Sequence, residues 1–303
     1  MAAGSLFAAG AGRVLAASDT IWVLLSDNSW AYAEAASALQ AEWRQIGRGK
    51  DLLVLNGREL PVGAPPAALV TLGSSAVRIA MERAEVHADW ARVPVVAGLL
   101  PKDGFQTVWK HPPAWVSAAY LDQPVERYLD LITRAFPRMR RIGVLVGAEA
   151  TATRAALSKA ASDRGLHLVL GTIAKSDTVY ASLRAVLADS DVLLVLPDSA
   201  VVDASALQNL LIAAYRQRVP VVAYSPSLVK AGATLGLYAS PAQVGKQVAT
   251  LLRLSVSSQS WPAPRLADGF TIAVNEQVCR SMGLDVPDAA ELTEAIRRQE
   301  VGR

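Results

Sequence analysis

The strongest constraint on this chain is a rhythm. Short, continuous apolar runs alternate with longer amphipathic ones, and the alternation starts twice. "TIWVLLS" (20–26), "DLLVL" (51–55), "AALVTLG" (67–73) and "VPVVAGLL" (93–100) are apolar without a wet side. Such runs suit parallel strands covered by helices on both faces. Between them, "SWAYAEAASALQAEWRQIG" (29–47) spaces Ala33, Ala36, Leu39, Trp43 and Ile46 for one helical face, and "SSAVRIAMERAE" (74–85) reads as a helix with a serine cap. Residues 101–124 carry prolines and show no clear period. A helix over 125–136 follows, and the rhythm restarts with strands at 141–147, 166–173, 192–197 and 220–225, separated by helices at 151–165, 178–190 and 204–218. This strand–helix–strand grammar, used twice, predicts an α/β fold of two doubly wound parallel-sheet lobes joined by a hinge.

The segment 119–124 is then the first crossing between lobes. Beyond Ser225 come a loop with Gly232 and Gly236, a short strand (235–240), a helix (241–255) opened by Pro241, a Pro-rich link (261–266), a strand (270–275) and two helical pieces. The expected division is a tail over 1–18, one lobe from 19–119 plus about 240–256, and a second from 120–239 plus about 265–300.

Hydrophobic residues make up 52% of the 303 and charged residues 19%, enough to build sizeable cores. The net charge of +3 is spread without a run of five like charges, so a nucleic-acid partner is not expected. The lone Cys279 excludes an internal disulfide, and His87, His111 and His167 make no metal-ligand spacing, so neither metal nor cofactor is expected. No apolar stretch is long enough to span a membrane. "MAAGSLFAAGAGRVLAAS" lacks acidic residues and ends "VLA" at Ala16 like a secretory cleavage site, without a basic start; it reads as a signal-peptide remnant or a flexible tail.

Ligands of open parallel sheets bind beyond the carboxyl ends of the strands. In the first lobe those ends read "SDNS" (26–29), "GSS" (73–75) and "PKD" (101–103); in the second, "GAEAT" (147–151), "PDS" (197–199) and "SPS" (225–227). Two such polar edges facing each other make a cleft. Gly73 allows a tight turn, and Ser74 or Ser75 opens a helix whose N–H groups favour a carboxylate; an ordinary serine cap uses the same atoms. Asp203 is the natural cap of the helix from Ala204, which frees Asp198 to meet an ammonium group, the alternatives being a solvated loop aspartate or an Asx-turn acceptor. Trp22 reads as core; Trp30 stands where it could stack on a flat ligand, but core packing is the expectation for it as well. No dinucleotide fingerprint, P-loop or nucleophile elbow is present, so an enzyme is not expected.

"RRIGVLVG", "DVLLVLPDSAVV", "RVPVVAYSPSLVKAGATLGLYASPAQVGKQVATLL" and "AVNEQVCRSMGLDVP" together resemble the ABC transporter substrate-binding family that includes tryptophan-type receptors, which is similar to the type I periplasmic-binding fold. The resemblance covers residues 19–290 and is strongest from Arg141 to Pro287. It implies a periplasmic or otherwise extracytoplasmic receptor that closes on a small solute and presents it to an ABC permease. Carried over, its elements are Pro197, Asp198 and Ser199; Gly73 and Ser74; and Ser225 through Val229 to Gly232 and Ala233. The family's Thr-Asp-Pro-like turn after the fourth strand is replaced by Leu99, Leu100 and Pro101, which keeps open a sensor or scaffold subunit contacting a protein partner. The expected site is Ser26, Asn28, Gly73, Ser74 and Ser75 on one lobe and Asp198, Ser199, Ser225, Gly232 and Tyr238 on the other. It would take an amino-acid-like solute, its carboxylate on Ser74 and Ser75 and its amine on Asp198.

Overall fold

A computed structural model describes residues 19–47, 49–56, 60–61, 63–174, 179–201, 204–257 and 261–302. The tail over 1–18 and the expected cap Asp203 lie outside the described residues.

The first sheet takes β1 (Ile21–Leu25), β2 (Leu52–Asn56), β3 (Ala68–Leu72), β4 (Val95–Leu100) and β5 (Val116–Tyr120) in the order β2-β1-β3-β4-β5, every pairing parallel. The chain winds through α1 (Trp30–Ile46), α2 (Ser74–Val86) and α3 (Lys102–Val108) between these strands. The second sheet holds β6 (Arg141–Gly147), β7 (His167–Ile173), β8 (Val192–Leu194), β9 (Val221–Ala223), β10 (Leu235–Tyr238) and β11 (Thr271–Val274) in the order β11-β10-β9-β8-β6-β7. Its helices are α4 (Val125–Ala135), α5 (Thr151–Ser162), α6 (Val179–Asp189), α7 (Ala204–Arg216) and α8 (Pro226–Ala231); α9 (Pro241–Ser257), α10 (Glu276–Met282) and α11 (Ala289–Val301) complete the chain. Among the described residues β11 alone runs antiparallel, at the sheet's edge.

Both faces of each sheet are buried. One core joins α1 and α9 to the first sheet through Leu39, Trp43, Val70, Val96, Val244 and Val248; a second fills its other face around Trp22, Leu69, Phe105 and Trp90. Trp22 packs tilted on Trp90, as its place in a buried strand demands. The second sheet has its own pair of cores, around Leu129, Ile132, Val144 and Leu292 on one side and Leu145, Leu183, Leu193 and Leu210 on the other. α9 lies close on α1, where a Cβ at Gly245 would fall 2.2 Å from the Ala35 carbonyl oxygen. Only glycine permits that approach.

Three details depart from the sequence reading. Ala33 is exposed, and Ala35 takes its place beside Ala36, Leu39 and Trp43, since Ala33 lies off the helical stripe those residues define. The aperiodic stretch 101–124 contains α3 and the fully buried β5. β8 and β9 are shorter than their apolar runs, although Val195 still donates to the Val222 carbonyl at 2.9 Å.

The chain passes between the sheets at 121–124, 239–240 and 261–270, and long polar side chains bind these passes together. Gln123 donates to the Gly269 carbonyl at 3.0 Å, Gln243 to that of Phe270 at 2.8 Å, and Gln247 to that of Leu266 at 2.9 Å. Irregular backbone needs such partners because it has no ladder of its own. Arg127, buried on α4, donates to Gln123 and to Glu300 of α11 and stacks over the Phe270 ring.

Candidate functional site

In parallel sheets the carboxyl ends of all strands share one edge, and both sheets carry their polar groups there. In the first, Ser26 follows the end of β1 and Gly73 the end of β3. Gly73 has φ 90° and ψ 167°, a region that side chains avoid. Its backbone N–H donates to the Gly98 carbonyl at 2.8 Å, and a Cβ there would lie 2.5 Å from Ser26 Oγ and 2.6 Å from the Tyr32 hydroxyl. Gly73 is therefore the floor over which Ser26 and Tyr32 meet. Ser26 Oγ accepts the Ala76 N–H at 3.0 Å, so it caps α2 from another strand. Ser74 and Ser75 open α2 without side-chain cap bonds, Ser74 half-buried and Ser75 exposed. The start of α3 lies beside them, a Cβ at Gly104 falling 3.8 Å from Ser74 Oγ. Asn28 sits exposed in the loop where Asp27 accepts the Ser29 N–H, and Trp30 is 74% exposed at the first turn of α1.

In the second sheet Asp198 is an Asx-turn acceptor, the alternative open from sequence. Its Oδ1 takes the Ala200 N–H at 2.9 Å, and its Oδ2 takes the N–H of Gly147, the end of β6, at 2.7 Å. A carboxylate has about four lone-pair sites, so these two bonds leave it able to accept more. Ser199 is exposed beside it. Ser225 caps α8 by accepting the Leu228 N–H at 3.3 Å, and Tyr238 ends β10 at the same edge. Gly232 is not at this edge. It closes α8 and precedes β10, which places it at the amino ends of the strands, so its expected place beside a ligand is corrected.

The two edges sense each other. Desolvation, then the charge of Asp198, raise the Asp103 carboxyl above the usual carboxylate range, against the pull of Lys102. Asp122, on the first pass between lobes, is also raised. Burial is the largest cause and the Asp103 charge adds to it, while the Lys102 backbone N–H, donating at 2.7 Å, opposes it. Burial and the Asp122 charge raise the phenols of Tyr120 and Tyr128, and burial raises Tyr224 and Tyr238. Burial, then Asp27, raise Tyr32 against a side-chain hydrogen bond from Ser26. Of these phenols, Tyr128 and Tyr120 are buried within the two cores, whereas Tyr32 and Tyr238 stand half-buried at the carboxyl edges of their sheets.

Sequence reading missed Tyr32 and Arg154, and both obey one rule. Tyr32 lies seven residues ahead of Leu39, and Arg154 seven ahead of Ala161, each on the buried stripe of its helix. Helical side chains lean toward the N-terminus, so the first polar member of a buried stripe overhangs the strand ends. Among the described residues no cluster of three His, Cys, Asp or Glu could hold a metal, and no helix is long and apolar enough to cross a membrane.

A family model described as ABC transporter substrate binding protein matches residues 107–289. No relative among curated proteins matches the sequence. Solved structures show the same fold. One is the ligand-free, open form of a substrate binding protein with adhesive properties from Clostridium difficile, with TM-score 0.65, 18% identity, and 89% of this chain and 96% of that one covered. A conserved domain protein from Vibrio cholerae aligns with TM-score 0.59 and 22% identity over 89% and 96%. An ABC domain in complex with L-Trp from Streptococcus pneumoniae aligns with TM-score 0.58 and 14% identity over 91% and 98%.

Proposed function

The chain belongs to the ABC transporter substrate-binding protein family, and we propose that it is the extracytoplasmic receptor of an importer, closing on a small zwitterionic, amino-acid-like solute and delivering it to an ABC permease. The observation that carries this reading is the pair of polar strand ends, Ser26, Gly73 and Ser74 on one sheet and Asp198, Ser225 and Tyr238 on the other, with Asp103 at the start of α3 near enough for the Asp198 charge to bear on it. Two carboxylates facing across a gap repel, and an ammonium group between them turns the repulsion into attraction. The acid end of the solute is taken at the start of α2, where the N–H groups of Ser74 and Ser75 join the positive end of the helix dipole. Ser26, Asn28 and Gly73 complete that lobe's share; Ser199, Ser225 and Tyr238 flank Asp198 on the other. Burying both charges of a zwitterion is tolerable only when each finds a partner, which favours this ligand class over a simple cation.

The mechanism is closure about the three passes between lobes. A ligand shifts the open–closed equilibrium only by its differential affinity, so contacts made from both lobes in the closed state do the work. The test is a thermal-melt panel of amino acids, amines and sugars. At a hundredfold excess over its dissociation constant, a ligand that binds only the folded protein stabilises it by about 2.7 kcal/mol. A panel in which no solute raises the melting temperature contradicts the receptor reading.

A further inference from the structure

Arg154 stands on the buried stripe of α5, at the end of that helix nearest the polar end of β6. It lies three residues ahead of Leu157 and seven ahead of Ala161, both buried against the second sheet. That register carries its side chain past the end of β6. Its Nε is buried and has no hydrogen-bond partner. Its Nη2 reaches the Gly147 carbonyl only at 3.5 Å, the limit of a hydrogen bond. Among the described residues it makes no ion pair. The nearby carboxylate of Asp198 is turned to the N–H groups of Gly147 and Ala200.

Arg164, the other partly buried arginine of this region, shows the contrast. It stands just past the far end of α5, where the Asp130 carboxylate at 2.8 Å offsets its charge and the Ala160 carbonyl takes a second N–H, although its Nη2 is also buried without a partner. A guanidinium is always charged and a desolvated donor without an acceptor is costly; Arg154 differs from Arg164 in having neither a carboxylate partner nor a short hydrogen bond, while standing at the polar end of β6. The planar donor fork matches a carboxylate.

We infer that Arg154 grips the acid group of the solute from the second lobe, closing on a carboxylate first held at the start of α2. This deepens the receptor reading and rests on it. It makes Arg154 the contact that exists only in the closed state, and it restricts the solutes to those carrying a carboxylate.

The test pairs a chemical change with a mutation. Amino acids found to stabilise the wild type are compared with their carboxamides and their decarboxylated amines by calorimetric titration, in the wild type and in Arg154→Met and Arg154→Lys. The expected result is a loss of about 10- to 100-fold in affinity for the acid in Arg154→Met, as for a lost hydrogen bond to a charged group, with partial rescue in Arg154→Lys. The preference of the wild type for acid over amide should shrink by a similar factor in Arg154→Met. The acid–amide comparison in the wild type needs no variant to fold. Equal binding of acid and amide by the wild type, equal affinity of wild type and Arg154→Met for the acid, or a sugar as the tight ligand overturns the Arg154 role and leaves a receptor. If nothing in the panel binds the wild type, the receptor reading fails and this inference with it.

Discussion

Replacing Gly73 by alanine perturbs the floor of the first lobe's site in two ways. The backbone there sits at φ 90° and ψ 167°, where a residue with a Cβ pays about 1–3 kcal/mol. The new methyl would also lie 2.5 Å from Ser26 Oγ and 2.6 Å from the Tyr32 hydroxyl, so both must move. Moving Ser26 breaks its 3.0 Å bond to the Ala76 N–H, which is worth about 1 kcal/mol. The sum is about 2–4 kcal/mol, or a fall of roughly 5–10 °C in melting temperature. Ser26→Ala removes the cap alone and should cost only about 1 kcal/mol. Thermal melts of the two variants separate strain from capping, and solute titration of Gly73→Ala should show weakened binding because Ser26, Tyr32 and the start of α2 shift together. The reasoning is refuted if Gly73→Ala melts no lower than Ser26→Ala and binds solute as the wild type does.

Three further outcomes follow from the same geometry. Asp122→Asn keeps an acceptor for the Lys102 N–H but removes a carboxylate whose pKa burial and Asp103 raise. A raised carboxyl stabilises the fold when protonated and loses that contribution as pH rises through its folded pKa, so the variant should melt above the wild type at pH 7 and the gap should close as pH falls toward the carboxylate range; a lower melting temperature at pH 7 contradicts this. Gly245→Ala places a methyl 2.2 Å from the Ala35 carbonyl oxygen and should destabilise by about 1–3 kcal/mol despite alanine's better helix propensity, visible as an earlier first melting transition. Asp198→Asn removes the charge and leaves one oxygen for two backbone N–H groups, so the melting temperature without solute should fall by the worth of one hydrogen bond, about 1 kcal/mol; amine-bearing solutes should bind about 10-fold or more weakly, and unchanged affinity would remove Asp198 from the amine site.

The fold was largely legible because buried parallel strands are apolar end to end, and "TIWVLLS" or "RIGVLVG" permits little else. β5 escaped notice because "VSAAY" is built of small residues behind a Pro-rich stretch, and its burial is set by β4 and α9 rather than by its own sequence. In α1 the choice of Ala33 over Ala35 rotated the predicted face and hid Tyr32; an alanine-rich helix offers several stripes of equal quality, and only the packed partner selects one. The six polar strand ends were legible, but not the hydrogen bonds among them. That Ser26 caps a helix starting 48 residues later, or that Asp198 ties down Gly147, depends on which strands become neighbours. Gly232 was misplaced for the opposite reason: a glycine loop close in sequence to Ser225 belongs, after one helix, to the other edge of the sheet.

On the proposed mechanism, a solute held from both lobes closes them. Small-angle X-ray scattering of the protein, alone and saturated with a solute that raises its melting temperature, tests it directly. Closure predicts a smaller radius of gyration and a narrower distance distribution with solute bound, and retention of the open dimensions in Arg154→Met at the same solute concentration. An unchanged radius at full occupancy would mean that the solute binds without bringing the two polar edges together.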